Sequence, residues 1–170
     1  MSVVVSGGFD PIHIGHLRML NEAKTLCSFL RGTLIVIVNN DKFLMEKKGY
    51  VFMPFEERME ILKGFEAVGA VVPSIDEDQT VCKTLTELCE VPSNTIRTFA
   101  NGGDRRHISD IPEAEVCNHY GIRMLFGVGG DKAQASSDLV KKVYEQLSNK
   151  KLPSGSTVRV DDKRKNGKAS

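Results

Sequence analysis

Two histidines three residues apart, His13 and His16, flank Gly15 and follow a Gly7-Gly8-Phe9-Asp10 turn. At a spacing of i, i+3 two side chains share one face of a helical turn. A glycine between them leaves the helix N-terminus open, where backbone N–H groups and the positive end of the dipole attract an anion. Imidazoles at such a place hydrogen-bond phosphate oxygens, and a protonated one neutralises charge building up in a transition state. The bland alternative is a pair of exposed helix-start histidines with no role. A zinc pair is a third reading, but no further ligand lies close in sequence. The setting behind a Gly-Gly turn favours the phosphate reading.

Other residues fitted to the same chemistry recur along the chain: Lys47 and Lys48 before Gly49, Arg58, Gly102-Gly103-Asp104, the run Gly127 to Lys132, and Ser136-Ser137. Glycines, cations and hydroxyls together make a phosphate site, because backbone N–H groups are approachable where no Cβ intrudes. The run ending Asp131-Lys132-Ala133 is not a P-loop, since no serine or threonine follows its lysine. For Lys47 and Lys48 the competing reading is a solvated charge run. For Arg58 it is a surface ion pair, and for Gly103 and Asp104 a simple strand-ending turn.

The elements that must position these residues alternate. Val3-Val4-Val5, Leu34 to Val38, Ala70 to Val72, Thr95 to Ala100 and Ile122 to Phe126 are short apolar runs rich in β-branched residues. Unbroken runs of this kind imply strands buried on both faces of a parallel sheet. Between them lie stretches of helical period: Leu17 to Leu30, a helix opened by Pro54 with Glu56 and Glu57 in its first turn, residues 77–90, and Pro112 to Tyr120. A last helix covers about Ser136 to Leu147. Residues 42–53 read as a lysine-bearing loop. Five such β/α units make an α/β fold with a five-stranded parallel sheet and right-handed crossovers. Ligands in such sheets sit outside the carboxyl ends of the strands, where strand order reverses. The histidines, the glycine clusters and the serines all follow strands.

Composition narrows the function. Lys and Arg number 23 against 22 Asp and Glu, and there is no Trp, so neither global charge nor base stacking argues for nucleic acid. No stretch approaches the ~20 apolar residues of a membrane helix, and the N-terminus carries no basic segment followed by a long apolar one; a cytoplasmic protein without a membrane partner is expected. The four cysteines, Cys27, Cys82, Cys89 and Cys117, form no C-x-x-C and read as reduced, mostly core-filling thiols. Residues 1–149 are expected to form one domain. Residues 150–170, with seven basic residues against two acidic, are expected to be a solvated basic tail.

The stretch Gly8-Phe9-Asp10-Pro11-Ile12-His13-Ile14-Gly15-His16 resembles the G-x-F-D-x-x-H-x-G-H signature of the cytidylyltransferase-like nucleotidyltransferases. The similarity extends through the order of elements over residues 1–148, with Asn39-Asn40-Asp41, Lys48-Gly49, Pro54, Glu57 and Arg58 matching a second block. The closest flavour is the heptose-phosphate type of sugar-phosphate adenylyltransferase, which shares the lysine-glycine segment and a Gly-Gly-Asp. The resemblance implies a Rossmann-like, doubly wound sheet with helices on both faces, and often a homodimer. It implies nucleotidyl transfer from ATP or CTP to a phosphorylated small molecule with release of pyrophosphate, Mg2+ arriving as the nucleotide complex. His13, His16 and Lys48 would be catalytic. Gly8, Phe9, Asp10, Gly15, Lys47, Arg58, Gly103, Asp104, Ser136 and Ser137 would bind the nucleotide. Ala135 stands where the family's first hydroxyl would precede the serines. The R-T-x-G-I-S-T-T block of CTP-using glycerol-phosphate enzymes is absent, which favours ATP and a sugar phosphate. The alternatives are a CTP-dependent enzyme for a phospho-alcohol such as glycerol phosphate or phosphoethanolamine, and a non-catalytic nucleotide-binding module. A class I aminoacyl-tRNA synthetase, which shares the H-I-G-H tetrapeptide, does not fit in 170 residues.

Overall fold

A computed structural model describes residues 1–29, 32–92, 95–102, 111–130 and 134–149. Gly103, Asp104 and the basic segment 150–170 lie outside the described residues. The elements in chain order are β1 (Ser2–Gly7), α1 (Ile14–Phe29), β2 (Thr33–Val38), α2 (Asp41–Lys48), α3 (Phe55–Lys63), β3 (Ala70–Pro73), α4 (Cys82–Glu90), β4 (Ile96–Gly102), α5 (Ala114–His119), β5 (Arg123–Val128) and α6 (Ser136–Asn149). The strands pair in parallel in the order β3-β2-β1-β4-β5. The chain therefore runs outward from β1 in one direction, returns, and builds the other half, so the reversal lies between β1 and β4. The parallel α/β sheet is the one expected from the alternating apolar runs, and its doubly wound, Rossmann-like form is the one the family resemblance implied.

The strand pleat sorts the core into two layers. Val3, Val5, Val36, Val38 and Ala100 pack with Leu20 and Ala23 of α1 and Leu62 of α3. Val4, Ile35, Ile37 and Phe99 pack on the other face with Leu85 of α4 and Cys117 of α5. Successive side chains point to opposite faces, so the unbroken valine and isoleucine runs are explained by helices on both sides. Cys27 and Cys117 are buried free thiols, and Cys82 and Cys89 are half-buried ones. Burial holds all four above the ordinary thiol range, Cys117 at about 12.

One element departs from the sequence expectation. The segment read as a loop over 42–53 begins with α2, an eight-residue helix. Asn40 caps it by accepting the Phe43 N–H, and Gly49 ends it in the left-handed conformation. Phe43 and Leu44 are buried beneath it, while Lys47 and Lys48 occupy its last turn, the negative end of the dipole. Among the described residues no helix is long and apolar enough to cross a membrane.

Candidate active site

A cleft of about 300 Å³ opens at the carboxyl ends of β1, β4 and β5, where strand order reverses. His13, His16, Lys48 and Ser136 contribute polar side chains, and Gly102, Gly129 and Gly130 line it with backbone. The turn from β1 into α1 places the two imidazoles. Their rings stack with centroids 3.8 Å apart and planes 16° from parallel, and Phe9 tilts against His16 at 4.9 Å. His13 Nδ1 accepts the Gly15 N–H at 3.1 Å, and His16 Nδ1 accepts the His13 N–H at 3.3 Å. A neutral imidazole carries one proton, so these bonds assign it to Nε2 in both rings. Each ring thus keeps one N–H to give away. Gly15 has a second role beyond leaving the helix end open. A Cβ there would stand 3.0 Å from His13 Cε1, so the absence of a side chain lets that ring fold back onto the turn.

Burial first, then His13 and Lys48, hold His16 down to about 3, and burial with the Lys48 ammonium also lowers His13. The resting site therefore holds neutral imidazoles. The unfolded chain takes up the His16 proton near the ordinary value of 6.5, the folded chain near 3. Folding stability contributed by this histidine is complete above pH 6.5 and is lost as pH falls toward 3. The melting temperature of the parent should therefore fall more steeply between pH 6.5 and 4 than that of His16→Asn; parallel slopes would contradict the burial of this imidazole.

Lys48 donates to the Asp10 carbonyl at 2.8 Å. Burial pulls its ammonium below the ordinary value; Asp10 opposes that shift, while Lys47 and Arg58 add to it. Lys47 is exposed and lies 5.2 Å from the Phe43 ring centroid, away from the cleft lining. Gly129 approaches α1 so closely that a Cβ would meet Met19 backbone at 2.9 Å, and its N–H bonds Glu22 at 2.8 Å. Ser136 starts α6 and donates to the Pro11 carbonyl at 3.0 Å, joining that helix end to the β1–α1 turn; Ser137 lines the cleft beside it.

Two expected ligands stand elsewhere. Arg58 was expected to face the cleft from the start of α3, but it is fully buried below it. Its guanidinium donates to the carbonyls of Gly8 at 2.6 Å, Asn39 at 2.7 Å and Met53 at 3.0 Å, and pairs with Asp41. Four donors are spent on joining the β1–α1 turn, the β2–α2 turn and the segment before α3. Asp10 is also fully buried. Its carboxylate accepts the N–H groups of Phe52 and Met53 at 2.9 and 2.6 Å, so it holds that segment in place and does not line the cleft. Gly8 supplies its carbonyl to Arg58, and its missing Cβ leaves room for Leu44. Phe9 and Gly15 line the cleft as expected positions in the turn. Met19, Gly129 and Gln134 line it too; Met19 had read as a gap-filler, and nothing in the local pattern marks Gln134.

A cytidylyltransferase-like family model matches residues 4–157. The chain is 29% identical over 102 residues to the glycerol-3-phosphate cytidylyltransferase of Bacillus spizizenii, covering 60% of this chain and 70% of that protein. It is 41% identical over 71 residues to the FAD synthase of Thermococcus sibiricus, covering 41% of this chain and 45% of that protein. The crystal structure of the lipopolysaccharide core biosynthesis protein from Thermoplasma volcanium superposes with a TM-score of 0.53 at 23% identity, over 75% of this chain and 93% of that one. That last likeness bears on the fold alone. The chain spans less than half the length of the FAD synthase it matches.

Proposed function

We propose, from the premise that this chain belongs to the cytidylyltransferase-like family, that it transfers a nucleotidyl group to a phosphorylated small molecule. The observation that carries the reading is the pair of stacked imidazoles, each with its proton on Nε2, in a cleft with Lys48 and the start of α6. In this reading an acceptor phosphate oxygen attacks the α-phosphorus. A new P–O bond forms, the bond from the α-phosphorus to the bridging oxygen breaks, and pyrophosphate departs with the electron pair. No protein nucleophile is used; the chain contributes orientation and charge neutralisation.

His13 and His16 would donate to the triphosphate, and bound phosphate charge would raise their proton affinity from its depressed resting level. Lys48 would exchange the Asp10 carbonyl for a phosphate oxygen. Ser136, Ser137 and the backbone of Gly129 would cradle the rest. The described residues lining the cleft include no carboxylate, so Mg2+ would be held by the nucleotide's own phosphates, where it would neutralise charge.

ATP with a sugar phosphate is the preferred pair, supported by the absent CTP-type block and by the FAD synthase relative, whose named product contains an adenylyl group. The glycerol-3-phosphate cytidylyltransferase relative favours CTP with a phospho-alcohol as the second reading. The reading includes a homodimer, checked by sedimentation. A thermal-shift series with ATP, CTP and candidate acceptors tests the pair, since specific binding stabilises the fold by mass action. Stabilisation by neither nucleotide would reject the reading.

The two lysines should separate in kinetics. Lys48→Ala should lower kcat far more than it weakens nucleotide binding, as for a group that acts in the transition state, whereas Lys47→Ala should change little. Equal, small effects from both would reduce Lys48 to a surface charge.

A further inference from the structure

Tyr50 carries a buried hydroxyl that the mechanism does not use. Among the described residues its Oη has no hydrogen-bond partner. Polar atoms so buried are paired in the great majority of cases, and one that is not calls for an explanation.

Its surroundings supply one. Gly49, at a φ of 78°, reverses the chain at the end of α2, and Tyr50 comes back toward Lys48. Two residues further on, the Asp10 carboxylate accepts the Phe52 and Met53 N–H groups, so the segment is pinned to the β1–α1 turn on that side too. The Lys48 ammonium lies 5.9 Å from the Tyr50 ring centroid, within cation–π range, and 2.8 Å from the Asp10 carbonyl oxygen. The phenol and the Asp10 carbonyl therefore share one cation. Burial, and then the Asp10 charge, holds the phenol above its ordinary range, in keeping with a neutral hydroxyl close to Asp10.

Asp10 is fully buried, and its carbonyl takes its hydrogen bond from Lys48. In the proposed reaction Lys48 turns to a phosphate oxygen, which would strand that carbonyl. A buried acceptor left without a donor is costly, so the cation is held back unless another donor replaces it. The Tyr50 hydroxyl has a proton that no acceptor takes, and it rotates freely about its C–O bond. We infer that Tyr50 is a positioning residue for Lys48: its hydroxyl takes over the Asp10 carbonyl when the ammonium leaves. The buried acceptor is then paired in both states. At rest Lys48 is docked and the hydroxyl unpaired; with a triphosphate bound, the two exchange. Tyr50 touches no substrate in this scheme. The destination of Lys48 rests on the transferase reading, and Tyr50 is the group that releases it.

The test follows the Cζ resonances of the three tyrosines in the full chain, with Tyr50 assigned by the signal that Tyr50→Phe deletes. Lys48→Met vacates the Asp10 carbonyl permanently, so without any nucleotide it should move the Tyr50 signal as a new hydrogen bond does. ATP added to the parent should move it in the same direction, and this reading stands even where a variant fails to fold. Tyr50→Phe should lower kcat about 3- to 10-fold, the scale of one hydrogen bond, with little change in KM. It should melt at or above the parent temperature, because the resting state loses only an unpaired hydroxyl; a merely structural hydroxyl would lower the melting temperature and spare kcat. In a Lys48→Met background, Tyr50→Phe should cost no further activity. A Tyr50 signal unmoved by Lys48→Met, full kcat in Tyr50→Phe, or independent losses in the double variant would each overturn the inference. A signal that moves in Lys48→Met but not with ATP or CTP would support the exchange at Asp10 and count against the transferase reading instead.

Discussion

Replacing His16 with alanine is expected to lower turnover by roughly two to three decades, the scale for removing one preorganised donor from a developing charge. The imidazole lies against His13 at 3.8 Å and against Phe9 at 4.9 Å, so its orientation is fixed before any ligand arrives. Its Nδ1 is already committed to the His13 N–H, which leaves only Nε2–H for chemistry. Nucleotide affinity should fall less than turnover, because the donor acts chiefly as charge develops. The helix start carries other anchors, including the backbone bonds from His16 and Leu17 to the His13 carbonyl, so the variant should fold. His16→Asn, which keeps a donor of shorter reach, should recover part of the loss. Normal turnover in His16→Ala would remove this residue from the mechanism.

Arg58→Met should cost stability first and activity as a consequence. The guanidinium is fully buried and links three segments through the carbonyls of Gly8, Asn39 and Met53 and the carboxylate of Asp41. Methionine keeps the apolar stem but leaves those acceptors unpaired. The Asp41 carboxylate is 43% exposed and can be hydrated, so the cost comes from the carbonyl acceptors left unpaired, about 1–3 kcal/mol each, which for a domain this size lowers the melting temperature by roughly 10 °C or more. Since the same cation secures the turns that carry Phe9 and Lys48, kcat should fall even at temperatures where the variant is folded. A direct nucleotide ligand would behave in the opposite way, losing affinity with little change in melting temperature. That outcome would return Arg58 to the cleft.

The contrast between His16 and Arg58 shows what the sequence carried and what it did not. Val3-Val4-Val5 and Leu34 to Val38 announce two-face burial because pleated strands under helices have no polar side, and the observed core layers follow that pattern. The His13-Gly15-His16 spacing fixes a helix-start site because its geometry is local. The role of Arg58 was hidden because its partners are backbone carbonyls from residues up to 50 positions away, whose convergence exists only in the fold. The α2 helix was missed for a different reason. Its lysines read as a charge run, although Asn40 as a cap, Gly49 as a stop and the buried Phe43-Leu44 pair were all present in the sequence. Met19 lines the cleft where Gly129 approaches its backbone, a contact that no periodicity reveals.

Whether this cleft joins a nucleotidyl group to a phosphorylated acceptor is read most directly by phosphorus NMR on a single mixture. The protein with Mg2+, ATP or CTP, and a set of sugar and polyol phosphates should consume the triphosphate and one acceptor together. Free pyrophosphate should appear, along with a coupled pair of resonances from a new P–O–P linkage between nucleotide and acceptor. Release of orthophosphate with a nucleoside diphosphate, or triphosphate left intact beside every acceptor in the set, would contradict such a transfer.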